Sequence, residues 1–392
     1  MAAMTYYRDN PYAPKTTTPL IDLIPDHRDD LDISDEEDSF YGKEDDFLVT
    51  KDWQNNIDRL PRRVKRYFGL GFAVFVIFLI SWWTYLGPRA AANRQELKDM
   101  DATPEMSYGS SLRPEFKGMI QVKDMAEEHL PKKGKRLIFV GDVHGCREEL
   151  EHLLKKVDFN HKHDHLVLTG DMISKGPDSP GVVKLIQKLG ASCVRGNWED
   201  KLLLTVAEAQ RNHHSTSTSP DDQLPDFLLE SHPHADPRLL KLAKKFTHKE
   251  LAFLQQCPVI LRVGHVPSLG NLVAVHAGLV PDTPLEKQDP FHVMNMRTID
   301  LKTRIPSSSH SGTPWEKFWN HRQQKLHAHD RTTVVYGHNR KRGLNIQEYT
   351  MGLDTGCVNG ERLTALVVDG KGKTEIVSVK CKKQGGYDKE GD

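Results

Sequence analysis

No asparagine in this chain of 392 residues begins an Asn-x-Ser/Thr sequon, so glycosylation offers no argument for a secretory lumen. The five cysteines, Cys146, Cys193, Cys257, Cys357 and Cys381, form no Cys-x-x-Cys pair. Their scatter excludes a thiolate zinc cluster and offers no disulfide framework, so inert, buried thiols are expected. There is no excess of charge either, with 54 basic and 54 acidic side chains. No nucleic-acid partner is therefore expected. No internal repeat is found, and the length suits one large catalytic domain with appendages.

The charge that is present is unevenly spread. From Asp26 to Asp46 the chain is strongly acidic with little to bury, and residues 1–66 read as a disordered tail. Residues 67–86, Tyr67 to Leu86, then run without a charge, about the twenty residues a helix needs to cross ~30 Å of hydrocarbon. Trp82, Trp83 and Tyr85 gather at one end and Tyr67 at the other, as interfacial aromatics do. Arg59, Arg62, Arg63, Lys65 and Arg66 crowd the leading flank, against Arg89, Arg94 and Lys98 beyond. The positive-inside bias leaves the N-terminus cytosolic and the rest lumenal on a retained signal-anchor. Residues 87–134, polar and punctuated by prolines, read as a stem, and 380–392 as a polar tail.

Between them, residues 135–379 alternate short apolar runs with helical periodicity, an α/β grammar. Arg136–Val140 precedes Gly141-Asp142-Val143-His144-Gly145, with Leu150, Leu153, Leu154 and Val157 following at helical spacing. Leu166–Leu168 precedes Gly170-Asp171, a helix is expected over 179–189, and Cys193-Val194 precedes Gly196-Asn197. Leu272–Val275 ends at His276 and Thr333–Tyr336 at His338, so candidate ligands recur at strand carboxyl ends, where open α/β sheets gather their sites. Residues 211–236 read as a flexible insertion. His161, His163 and His165, before a strand, are expected at the surface.

Asp142 and His144, two apart on a loop, can aim at a single cation, and the flanking glycines let the backbone approach. The set suits a two-metal phosphoesterase, in which paired divalent cations clamp a phosphoryl group and activate water. With Val-His-Ala-Gly-Leu-Val-Pro, Tyr-Gly-His-Asn and Gly-Leu-Asp-Thr-Gly-Cys-Val-Asn-Gly, the pattern resembles the calcineurin-like metallophosphoesterases. It is most similar to their branch of fungal vacuolar endopolyphosphatases that use zinc or cobalt. The resemblance implies a metallophosphoesterase β-sandwich core flanked by helices, preceded by one transmembrane helix. It assigns Asp142 and His144 to a first metal, Asp171 to a bridge, and Asn197, His276 and His338 to a second. Zinc or cobalt is expected, with manganese a further candidate, and the vacuole enters through the resemblance alone.

Where the family usually reads Gly-Asn-His-Glu or Gly-Asn-His-Asp, this chain reads Gly196-Asn197-Trp198-Glu199, and Ser174 stands where protein phosphatases carry a carboxylate. The customary proton donor is therefore absent. Phosphate leaving from an anhydride, with a pKa of about 6–7, needs it far less than a serine alkoxide does. Inorganic polyphosphate is the expected substrate. A diadenosine polyphosphate hydrolase, a serine/threonine protein phosphatase and a non-catalytic polyphosphate-binding protein are the alternatives. Asp171, Asn197 and Glu199 are the expected catalytic group. Lys175, Arg195 and Arg340 are expected to grip phosphate, with Arg297 added by the resemblance. For Lys341 and Arg342 a solvated cluster competes with that role.

Overall fold

The computed structural model describes residues 61–102, 118–132, 134–211 and 236–384. The acidic stretch from Asp26 to Asp46 and nearly all of the expected insertion lie outside them. The chain divides into two units, Met1–Tyr85 and Leu86–Asp392.

In the first unit, helix α1 (Arg62–Ser81) buries no residue, although Phe72, Phe75, Ile77 and Ile80 are all on it. Its first turn carries Arg62, Arg63, Lys65 and Arg66, so the charge-free run starts at Tyr67 and continues past α1 through Trp82–Leu86, twenty residues or about 30 Å at helical rise, the thickness of bilayer hydrocarbon. Among the described residues this is the one helical segment long and apolar enough to cross a membrane.

The second unit is built on two sheets. Strands β1 (Val122–Asp124), β5 (Ile260–Val266), β6 (Gly270–Val275), β10 (Thr332–Tyr336), β12 (Thr350–Gly352) and β11 (Asn345–Ile346) follow one another across the first. The second runs β14 (Thr374–Lys380), β13 (Arg362–Asp369), β2 (Arg136–Val140), β3 (Asp164–Leu168), β4 (Ser192–Cys193). Side-chain alternation explains why the sheets stack. On β2, Leu137 and Phe139 join Val167, Leu261, Ala274 and Val335 between the sheets. Ile138 and Val140 point the other way, onto α3 (Arg147–Lys156), α4 (Ser179–Lys188), α5 (Asn197–Arg211), α6 (Pro237–Ala243) and α7 (His248–Gln256). On the far side, Val273, Val275 and Val334 pack with Val293 of α8 (Pro290–Asn295) and with Trp315 and Phe318 of α9 (Trp315–Lys325). The result is a β-sandwich flanked by helices. A small third sheet, β8 (Pro306–Ser307), β7 (Thr298–Ile299) and β9 (Thr313–Pro314), lies beside α9 in sequence.

Three expectations change. The described parts of residues 87–134, expected as a stem, contribute to the body: helix α2 (Gly87–Ala102) buries Met100 completely, and its Glu96 lies 2.6 Å from Lys317 of α9. Strand β1 pairs in parallel with β5. The cysteines do form bridges, Cys193–Cys257 and Cys357–Cys381, leaving Cys146 as a buried thiol. The partners are 64 and 24 residues apart, and only the fold brings them together. His165 is buried, stacked on His129 at 3.7 Å with Nε2 2.8 Å from the Ser192 hydroxyl. His161 and His163 are exposed as expected.

Candidate metal centre

Because β2, β3 and β4 are mutually parallel, their carboxyl ends open at one edge. Asp142 follows β2, Asp171 follows β3, and Asn197 opens α5 after β4. In the opposing sheet β6 and β10 are also parallel, and deliver His276 and His338. The turns are tight enough to force unusual backbone. His144, Asp171 and His338 all have positive φ, of 45°, 46° and 67°. For residues carrying Cβ this costs of order 1–3 kcal/mol each, and such strain clusters at functional sites. Gly337 is required for a different reason: a Cβ there would lie 2.1 Å from Asp142 Oδ1.

All six expected ligands are buried or half-buried in one place. Asp142, His144 and Asp171 bring one donor atom each within 4.8 Å of one another, and Asp171, His276 and His338 do the same. Asp171 belongs to both groups, with Oδ2 3.5 Å from His144 Nε2 and Oδ1 3.3 Å from His276 Nε2. Backbone carbonyls orient the rings. Ile173 O is 3.1 Å from His144 Nδ1 and Thr169 O is 2.8 Å from His276 Nδ1, which turns both Nε2 atoms inward. Asn295 O lies 3.1 Å from His338 Nε2, which leaves Nδ1 facing the cluster. The Asn197 side-chain oxygen sits 2.9 Å from His276 Nε2, 3.3 Å from His338 Nδ1 and 3.2 Å from Asp171 Oδ2. Lone pairs converging this way repel one another unless positive charge lies among them. The donor set, carboxylate oxygens, an amide oxygen and imidazole nitrogens, fits divalent zinc, cobalt or manganese.

The protein groups alone show the same demand for positive charge. Burial would lower the His276 pKa, but the Asp171 carboxylate outweighs it and raises the value to about 10. Burial raises Asp142 well above the carboxylate range, with Asp354 adding to the effect. For Asp171, burial is outweighed by His276 and the pKa falls. His144 drops to about 4 and His338 falls well below its usual value, through burial first and then neighbouring positive charge. Neutral imidazoles are the form that binds a metal.

The remaining expectations divide. Lys175, Arg297 and Arg340 line a cleft of about 590 Å3 over the cluster, together with Lys341. Lys175 Nζ is 3.4 Å from His144 Nε2, and Arg340 lies 3.6 Å from Glu361. Arg342 turns away and pairs with Glu316 at 2.9 Å. Arg195 does not reach the cleft: it is buried, donating to Gln255 O at 3.1 Å and lying 3.5 Å from Asp200. Nor does Glu199 line the cleft. Its carboxylate is fully buried and accepts from Asp171 N, Met172 N and Gly196 N at 2.8 Å and from Ile173 N at 3.2 Å, tying together the loops that carry Asp171 and Asn197. One group escaped the sequence reading: Asp354, just past β12, is buried and lines the same cleft. Its place after an apolar strand, in Gly352-Leu353-Asp354, is the same signal that marks Asp142 and Asp171.

Fold and centre together define a metal-dependent phosphoesterase. Residues 135–356 match the family of calcineurin-like phosphoesterases, and the chain belongs to that family. It is 27% identical over 305 residues to the "Zinc-dependent endopolyphosphatase" of Saccharomyces cerevisiae, spanning 71% of this chain and 89% of that one. It is 28% identical over 246 residues to the asymmetrical bis(5'-nucleosyl)-tetraphosphatase PrpE of Oceanobacillus iheyensis, spanning 59% and 87%. A solved structure provisionally described as a diadenosine tetraphosphatase superposes with a TM-score of 0.50 at 33% identity, covering 66% of this chain and 97% of that one.

Proposed function

We propose that the chain is an endopolyphosphatase, cutting internal phosphoanhydride bonds of inorganic polyphosphate. Asp142, His144 and Asp171 would hold one divalent cation, and Asp171, Asn197, His276 and His338 the second. Two such cations, when bound, polarise the phosphoryl oxygens and bring water to attack at neutral pH. Glu199 holds the two loops in register, and Lys175, Arg297 and Arg340 offset the charge of the phosphate chain. The observation that carries the choice of substrate is Trp198, half-buried in the cleft wall where the family's proton-donating histidine is usual. An indole gives no proton to a leaving oxygen, which favours a leaving group that needs none.

The bacterial relative and the solved structure favour a second reading within the same bond class, a dinucleoside polyphosphate hydrolase. Side-by-side assays separate the two. The full chain, incubated with long-chain polyphosphate and zinc, cobalt or manganese, should give a ladder of intermediate lengths on gels. Intact chains with every metal, beside turnover of a diadenosine polyphosphate or a phosphopeptide, would reject the assignment.

For location, α1 serves as a membrane anchor with the N-terminal flank cytosolic and the catalytic unit lumenal. The two disulfides support an oxidising lumen. The vacuole follows from the family resemblance.

A further inference from the structure

Trp198 has a second property that its lack of an acidic proton does not explain. Its backbone N–H donates to Asp171 Oδ1 at 3.1 Å, which fixes the residue beside the carboxylate shared by both donor groups. Its ring packs partly against the core beneath α5. Over that ring stand two ammonium groups, Lys175 Nζ at 5.0 Å and Lys201 Nζ at 4.6 Å from the centroid. Lys201 is three residues on along α5, on the face Trp198 occupies. Lys175 comes from the loop after β3, and its ammonium lies 3.4 Å from His144. All three side chains line the cleft.

Two like charges beside one aromatic ring repel each other, and the ring's quadrupole compensates for this only in part. Neither lysine has a carboxylate within ion-pair distance among the described residues. By contrast Arg238, on the same wall, has Asp236 at 3.3 Å. Lys175 feels the buried carboxylates of Asp171 and Asp354, whereas Lys201 has no ion-pair partner among the described residues, and two cations beside one ring at the mouth of a phosphate site suit a ligand that carries more than one anionic group.

We infer that Trp198 and Lys201 form a second phosphate subsite, with Trp198 as the platform that positions Lys201 to bind the phosphoryl group next to the one at the metal centre. The inference rests on the reading that this cleft takes phosphoanhydrides, and adds a selection for length. A ligand with consecutive phosphoryl groups engages both places, while orthophosphate or a phosphomonoester engages the centre alone. The residue that replaces the family's acid thus supplies a means of holding the departing phosphate chain.

The test is calorimetric titration of the full, metal-loaded chain with tripolyphosphate and, separately, with orthophosphate. Lys201 is exposed, so Lys201→Gln should fold normally. It should weaken tripolyphosphate by about 5–10-fold, the scale of one lost charge contact, and leave orthophosphate unchanged. Lys201→Arg should restore tripolyphosphate binding, and Trp198→Phe should retain more of it than Trp198→Leu. Equal losses for both ligands, or none for tripolyphosphate, would overturn the subsite. If the native chain shows this difference yet leaves long polyphosphate uncut, the polyphosphatase reading falls and the subsite stands.

Discussion

Replacing Glu199 separates a clamp from a catalyst. One carboxylate oxygen accepts from Asp171 N and Gly196 N, and the other from Met172 N and Ile173 N. Glu199→Ala strands four buried donors, each worth about 1–3 kcal/mol when left unsatisfied. Water entering the space relieves part of this, so a net loss of about 3–5 kcal/mol is expected. Glu199→Gln is the sharper variant. Its amide has almost the same shape, but one end now presents N–H to a pair of N–H donors, which should cost about 2–4 kcal/mol. Because those donors belong to the loops of Asp171 and Asn197, metal affinity should fall by about 10–100-fold, as when a partner that orients ligands is lost. The assays are thermal unfolding in chelator, where each kcal/mol lowers Tm by about 2–4 °C or less for a unit of this size, and metal titration. Unchanged Tm and metal affinity alongside lost turnover would refute the clamp and return Glu199 to a role in proton transfer.

Arg195→Gln should lower stability by about 1–3 kcal/mol through its lost buried partners and leave KM for polyphosphate unchanged, whereas Arg297→Gln should raise KM. A comparison of unfolding and kinetics checks both. Reduction of the disulfides should lower Tm under mild reductant, since loops of 64 and 24 residues correspond to about 4 and 3 kcal/mol in the chain-entropy account. Burial, with His129 adding to it, lowers the pKa of His165 to about 4. The unfolded chain therefore takes up this proton first as pH falls, and stability should decline between pH 6.5 and about 4. His165→Asn should flatten that decline in a pH series of melting temperatures.

The six cluster residues were legible in sequence because each sits just past a short apolar strand, and parallel pairing carries that local signal to a common edge. Asp354 obeyed the same rule in a motif quoted only for its likeness to the family. What sequence position did not convey was side-chain direction. Asn197 and Glu199 are two apart on the first turn of α5, about 200° around the helix, so one faces the cleft and the other the loops beneath. Arg195 lies two residues before Asn197, in the link between β4 and α5, and its side chain turns inward to Gln255 O and Asp200. The disulfides depend on sequence separations that no motif spans. Met100 and β1 were hidden because each adds only a few apolar residues, and their partners, α9 and β5, come more than 130 positions later.

The metal content of the full chain, purified without chelator and measured by elemental analysis, tests the centre most directly. Two divalent ions per chain are expected, with Asp171→Asn, which removes a charge shared by both donor groups, retaining one or fewer. Native protein that binds none of zinc, cobalt or manganese, or an Asp171→Asn variant that still holds two, would contradict the account.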